Sequence, residues 1–194
     1  MGKRSTRGGS PEVFQVKAVL QGFDPPVWRR VTLSATASFA QLHEVLQQAM
    51  GWDDCHLHEF RVGAAICGLP DPDGPAGLLD ERQHGLSPHF AQGTSGLYLY
   101  DFGDGWEHEL LVERVEPADP AVAYPICTAG ARACPPEDCG GAVGYQELLE
   151  ALADPRHPAH ETMKTWVGGD FDPEGFDRNM VNRRLQRRRL SGSS

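Results

Sequence analysis

His56, His58, Asp101, Asp104 and His108 are the side chains in this sequence best suited to chemistry, because imidazoles mixed with carboxylates are what divalent transition metals accept as ligands. A metal held by such a set with one position open lowers the pKa of a bound water and makes it a nucleophile for hydrolysis. His56 and His58 stand at i, i+2, so on a strand their rings face one side. Asp101, Asp104 and His108 fall in the stretch 97–113, which reads Leu-Tyr-Leu-Tyr-Asp-Phe-Gly-Asp-Gly-Trp-Glu-His-Glu-Leu-Leu-Val-Glu. The same residues have a packing use, with His108 a core histidine bonded by Asp101 and Asp104 capping a turn. Spacing alone favours that use over a metal site.

Two more groups carry ligand chemistry. Cys127, Cys134 and Cys139 lie in a proline- and glycine-rich segment that a zinc ion could organise, with His157 or His160 as a fourth ligand. Without a Cys-x-x-Cys pair, the reading that prevails is of buried thiols packing as small hydrophobes. Glu137 and Asp138, followed by Gly140 and Gly141, suit an anion-binding loop or a surface for a protein partner. Carboxylates that cap the backbone of a tight loop are the favoured alternative. No P-loop, dinucleotide fingerprint or nucleophile elbow is present, so phosphate-cradle and acyl-transfer chemistry have no support.

The elements that must position these groups follow from hydrophobic periodicity. In 97–113 two apolar-aromatic runs flank Gly103-Asp104-Gly105, a strong hairpin signal. Trp106, His108, Leu110 and Val112 share the face expected to be buried. A two-residue turn is favoured, because it sets Asp101 opposite His108. A three-residue turn would place Tyr98, Tyr100 and Phe102 on that face, but it would also oppose Asp101 to Glu107.

Residues 13–20, 27–33 and 57–62 read as strands. Ser38 caps a helix with apolar positions Phe39, Leu42, Val45, Leu46, Ala49 and Met50 that ends at Gly51. Residues 63–96 read either as a variable excursion or as short elements, a helical turn at 86–90 among them, and 117–144 as irregular coil. Short helices follow around Tyr145–Leu152 and from Pro158 through Val167, and Asp172-Pro173 is expected to start the last one. Trp28, Trp52, Trp106 and Trp166 are expected in the core. One of Arg29 and Arg30 is expected to pair with a carboxylate. Strands first and helices last predict an α+β fold, a single domain with a largely antiparallel sheet packed by helices concentrated in the C-terminal third.

The chain has 194 residues and a net charge of -9. Half of its 18 basic residues sit at the ends, as Lys3, Arg4 and Arg7 and as Arg178, Arg183, Arg184 and Arg187–Arg189. That leaves nine against 27 acidic ones, about -18 for the body. Such a body repels phosphate backbones, so nucleic acid is excluded as a partner except at the arginine-rich C-terminal helix. With no apolar leader, no membrane span and an odd number of cysteines, 5, a cytoplasmic protein with reduced thiols is expected.

The chain resembles the plasmid pRiA4b ORF-3-like family, some members of which are labelled resolvase-like passengers of insertion elements. The resemblance is carried by Val27-Trp28-Arg29-Arg30, Met50-Gly51-Trp52, His56-Leu57-His58-Glu59-Phe60 and Tyr98–Asp104 with Trp106 and His108. It continues through Pro135-Pro136-Glu137-Asp138-Cys139-Gly140-Gly141, Gly144-Tyr145, Trp166, Phe171-Asp172-Pro173-Glu174 and Asn182. It implies an α+β fold, a bacterial or archaeal setting and no established activity. No recombinase constellation accompanies it.

The expectation is a disordered basic N-terminus over 1–11, one family domain over 12–186 and a flexible tail over 187–194. The function expected is that of a binding or accessory module with an unidentified protein partner. A metal-dependent hydrolase built on the His/Asp set is the first alternative and a DNA-contacting accessory protein the second. No cofactor is called for, with a divalent metal the one candidate.

Overall fold

The computed structural model describes residues 10–71 and 77–191. Period-two alternation lays down β1 (Glu12–Leu20) and β2 (Val27–Ser34), paired antiparallel with Leu20 opposite Val27. Helix α1 (Phe39–Met50) follows. The Ser38 side chain accepts from the Gln41 N–H and the Gln41 side chain accepts from the Ser38 N–H, a complete capping box. Gly51, at φ 94°, ends the helix in the left-handed region that favours glycine. Phe39, Leu42 and Leu46 form a fully buried stripe, each contributing about 1.5–3 kcal/mol by leaving water.

The next elements are β3 (His58–Val62), β4 (Ala65–Gly68), β5 (Leu79–Asp80), β6 (Ser95–Tyr100), β7 (Trp106–Pro117) and β8 (Ile126–Ala131). Helices α2 (Gly141–Ala153), α3 (His160–Trp166) and α4 (Arg178–Ser191) close the chain. The strands form one sheet in the order β5-β4-β3-β6-β7-β1-β2-β8, antiparallel except for β4 and β5. This is the expected α+β domain, with three of its helices after the last strand.

Several expectations need correcting. The hairpin has neither a two- nor a three-residue turn. Tyr100 pairs with Trp106 and Tyr98 with His108, leaving the five-residue loop 101–105. Tyr98 and Tyr100 therefore share the buried face with Trp106 and His108. Leu99, not Asp101, opposes Glu107, so the like-charge clash that argued against this face does not arise.

The segment 117–144 is not coil throughout, since β8 pairs with β2. Asp177, not Asp172, caps the last helix, accepting from the Asn179 and Met180 N–H groups. Trp166 is 48% exposed rather than core. Helix α4 extends through Ser191, and the N-terminal segment 1–9 lies outside the described residues.

Arg29 ties the layers together. Its guanidinium donates to Ala49 O at the end of α1, to Ala131 O at the end of β8, to Trp28 O and to Cys134 Sγ. It also lies over the Phe176 ring, 4.7 Å from the centroid. Arg30 pairs with Glu113, which a bulge between β1 and β7 sets out of register.

Candidate functional site

Three segments far apart in sequence meet at one end of the sheet: the link 52–57 between α1 and β3, the loop 101–105, and the loop 134–141 ahead of α2. Trp52 Nε1 donates to Pro135 O, and Glu137 Oε1 accepts from the Asp53 N–H and the Tyr100 hydroxyl. The Gly140 N–H donates to Asp104 Oδ2. Gly141 is pressed so close to Asp104 that a Cβ there would stand 2.6 Å from Asp104 O. Asp101 and Asp138 both adopt positive φ, 55° and 56°, which Asp tolerates better than most residues. Asp101 holds its loop by accepting from the Gly103 and Asp104 N–H groups at Oδ1, which leaves Oδ2 turned toward His56.

His56 is the centre of the resulting cleft. Its Nε2 lies 3.1 Å from Asp138 Oδ1, 3.6 Å from Asp101 Oδ2 and 3.9 Å from Glu137 Oε2. None of these contacts is aligned as a hydrogen bond. His56 Nε2 and Glu137 Oε2 are both buried atoms without a hydrogen-bond partner among the described residues. Cys55 adds a free thiol within 4.8 Å of the His56 and Glu137 donor atoms. Desolvation, and then the Glu137 and Asp138 carboxylates, push that thiol up from its ordinary pKa. Burial first and the bond to Glu137 second push the Tyr100 hydroxyl far up, so it stays a donor. Among the described residues, no lysine or arginine forms an ion pair with Asp101, Glu137 or Asp138.

The five residues singled out first are thus divided. His56 and Asp101 come together, joined by Glu137 and Asp138 from the group expected to cap a loop. Asp104 stays on the backbone side, fastening Gly140. His58 belongs to another cluster, where its Nε2 bonds Glu81 Oε2 at 2.6 Å and its ring stacks on His43 at 3.4 Å. His43 in turn bonds the Tyr98 hydroxyl and Asp54. His43, Asp54 and His58 have donor atoms close enough for an ion. However, a ring nitrogen's lone pair lies in the ring plane, and planes parallel to within 5° cannot converge on one ion.

His108 is fully enclosed. Its Nδ1 donates to the Tyr98 and Trp106 carbonyls rather than to Asp101, and its ring packs on Trp52 and Tyr98. Desolvation holds it near a pKa of about 4.

Cys127, Cys134 and Cys139 do not converge into a ligand group among the described residues. Burial raises all three thiols, Cys139 to about 12 with Asp104 contributing second. His160 Nδ1 instead bonds Ala151 O. At the C-terminus, Arg184 packs against Gly51 and Arg183 faces Asp177, so these two are engaged within the protein. Sequence reasoning missed His43, Asp54, Cys55 and Glu81. Only His43 left a signal, since it falls beside Leu42 on the stripe that faces inward.

The fold and the cleft define a single-sheet α+β domain with an imidazole–carboxylate cluster at one sheet end. Residues 12–180 match the family described as plasmid pRiA4b ORF-3-like protein, and the chain belongs to that family. It is 42% identical over 174 residues to the uncharacterized protein y4hQ of Sinorhizobium fredii, covering 88% of this chain and 89% of that one. The crystal structure of the protein of unknown function MM3350 from Methanosarcina mazei Go1 is similar with a TM-score of 0.80 at 38% identity, over 88% of this chain and 97% of that chain. No described helix is long and apolar enough to cross a membrane.

Proposed function

We propose that the protein is a binding module whose ligand site is the His56 cleft and whose ligand is cationic. The observation that carries this reading is the convergence of Asp101, Glu137 and Asp138 on one imidazole without a compensating lysine or arginine among the described residues. Carboxylates held together in a partly desolvated cleft repel one another, and a cation relieves that repulsion. The segments that carry the family resemblance, around Trp52, His56, Asp101 and Pro135–Gly141, are also the ones that build this cleft. Binding is favoured over hydrolysis because His58, Asp104 and His108, three members of the hydrolytic set, lie outside it. His108 is also closed off from solvent.

The test is an NMR titration of the isotope-labelled full chain with magnesium chloride, zinc chloride and a short arginine peptide. Shifts centred on His56, Tyr100 and residues 135–140 are expected with at least one of these, and they should be lost in Asp101→Asn. Shifts confined to other surfaces, or none at all, overturn the reading.

A further inference from the structure

We infer that the cleft is a site for one divalent transition-metal ion, anchored by His56 Nε2 with Asp101 and Asp138 as oxygen donors and with Cys55 and Glu137 as a second set on the same histidine; this rests on the reading of the cleft as the ligand site. A charged hydrogen bond brings nitrogen and oxygen to about 2.7–2.9 Å in line. Here one nitrogen stands 3.1–3.9 Å from three carboxylates and aligns with none of them. Ligand atoms about 2.0–2.2 Å from a tetrahedral ion are separated from each other by roughly 3.3–3.6 Å. The distances from His56 therefore suit a shared ion better than a hydrogen-bond network, and the His56, Asp101 and Asp138 donor atoms lie close enough together to hold one.

The second observation is that two of the buried atoms without a hydrogen-bond partner among the described residues, His56 Nε2 and Glu137 Oε2, stand 3.9 Å apart on two different segments. Buried polar atoms are ordinarily bonded, and two unbonded ones facing the same space call for a shared partner. One partner that accepts a lone pair from both is a cation. His56 and the Asp101 and Asp138 carboxylates have donor atoms within 4.8 Å of one another, and a second set of Cys55, His56 and Glu137 shares the same histidine.

The imidazole, with the Cys55 thiol within reach, selects for zinc-like ions, since magnesium and calcium prefer all-oxygen sites. The supports are rigid: Asp101 is fixed by its own loop amides and Glu137 by Tyr100 and Asp53, an outer layer of the kind that orients metal ligands.

The test strips the full chain with a chelator and dialyses it, under a thiol-free reductant, against zinc or cobalt chloride with magnesium present. Bound metal is then measured by elemental analysis. Near-stoichiometric zinc is expected. His56→Ala should lose it, Asp138→Asn should bind on the order of tenfold more weakly or worse, and His157→Ala, outside the cleft, should retain it. Circular dichroism checks that His56→Ala is folded, and Asp138→Asn gives a gentler second variant. Zinc that is not retained, or that His56→Ala retains in full, overturns the inference. If magnesium or the arginine peptide still perturbs the cleft in the titration above while zinc is not retained, the transition-metal inference falls and the cation-binding cleft stands. If no probe perturbs it, both fall.

Discussion

Two histidine–carboxylate clusters lie on either side of the Tyr98–Tyr100 pair, and they differ in what their polar atoms face. In the inner one, His58 and Glu81 bond at 2.6 Å with both side chains almost wholly buried, and His43 is held between Tyr98 and Asp54. In the outer one, His56 is ringed by three carboxylates, bonds none of them and keeps 28% of its side chain exposed. Residue types are nearly the same in both. What differs is how far donors and acceptors are matched inside the protein. The inner cluster bonds His43, His58, Tyr98, Asp54 and Glu81 among themselves and leaves His58 Nδ1 unpartnered, while in the outer one both the imidazole Nε2 and a Glu137 oxygen are unpartnered.

The sharpest way to break this comparison is to remove a partner from each cluster. Glu81→Ala leaves the buried His58 without its acceptor and should cost about 3–5 kcal/mol in urea unfolding. A loss as small as that of a surface substitution would mean the inner cluster is not the structural one.

The next effect concerns His108, whose pKa of about 4 is depressed from 6.5 by burial. The unfolded chain binds the proton more readily than the folded one. This contribution is therefore complete above pH 6.5 and is lost as pH falls toward 4, by about 3 kcal/mol in all. Urea midpoints across that window should fall less steeply in His108→Phe than in the parent, and parallel curves would refute the assignment.

The smallest effect is expected at the outer cluster. Without added metal, His56→Ala should change stability by less than about 1 kcal/mol, because the ring has no bond to lose. A large loss in a thermal melt would place His56 among the structural histidines.

Much of the frame could be read from the sequence. The Ser38 cap, the apolar stripe of α1 and its stop at Gly51 are local signals and appear as expected. So do the first three strands and the buried Trp106/His108 face. The hairpin register departs from either short turn because electrostatic avoidance between Asp101 and Glu107 and an apolar face conflict only when the turn has two or three residues. A five-residue loop satisfies both. β8 was hidden because its glycine-bearing six residues follow Pro125 and carry little alternation, and its pairing with β2 is a long-range matter. The cleft is half legible: the sequence groups His56 with Asp101, and the fold places them 3.6 Å apart, while Glu137 and Asp138, read as loop caps or as a partner surface, reach them only through long-range folding. Nothing local in the sequence says that a loop some 35 residues further on folds back over a hairpin turn.

Arg29 bears on how a ligand would arrive. By joining Cys134 to the end of α1 and the edge of the sheet, it fastens the start of the 134–141 loop, while Trp52 fastens Pro135 and Asp104 fastens Gly140. The loop is therefore a fixed wall and not a lid. An incoming ion meets ligands already ordered, so little conformational entropy is lost on binding. Association should then follow a single phase with a rate linear in ion concentration, governed by shedding of the ion's water and not by any motion of the protein.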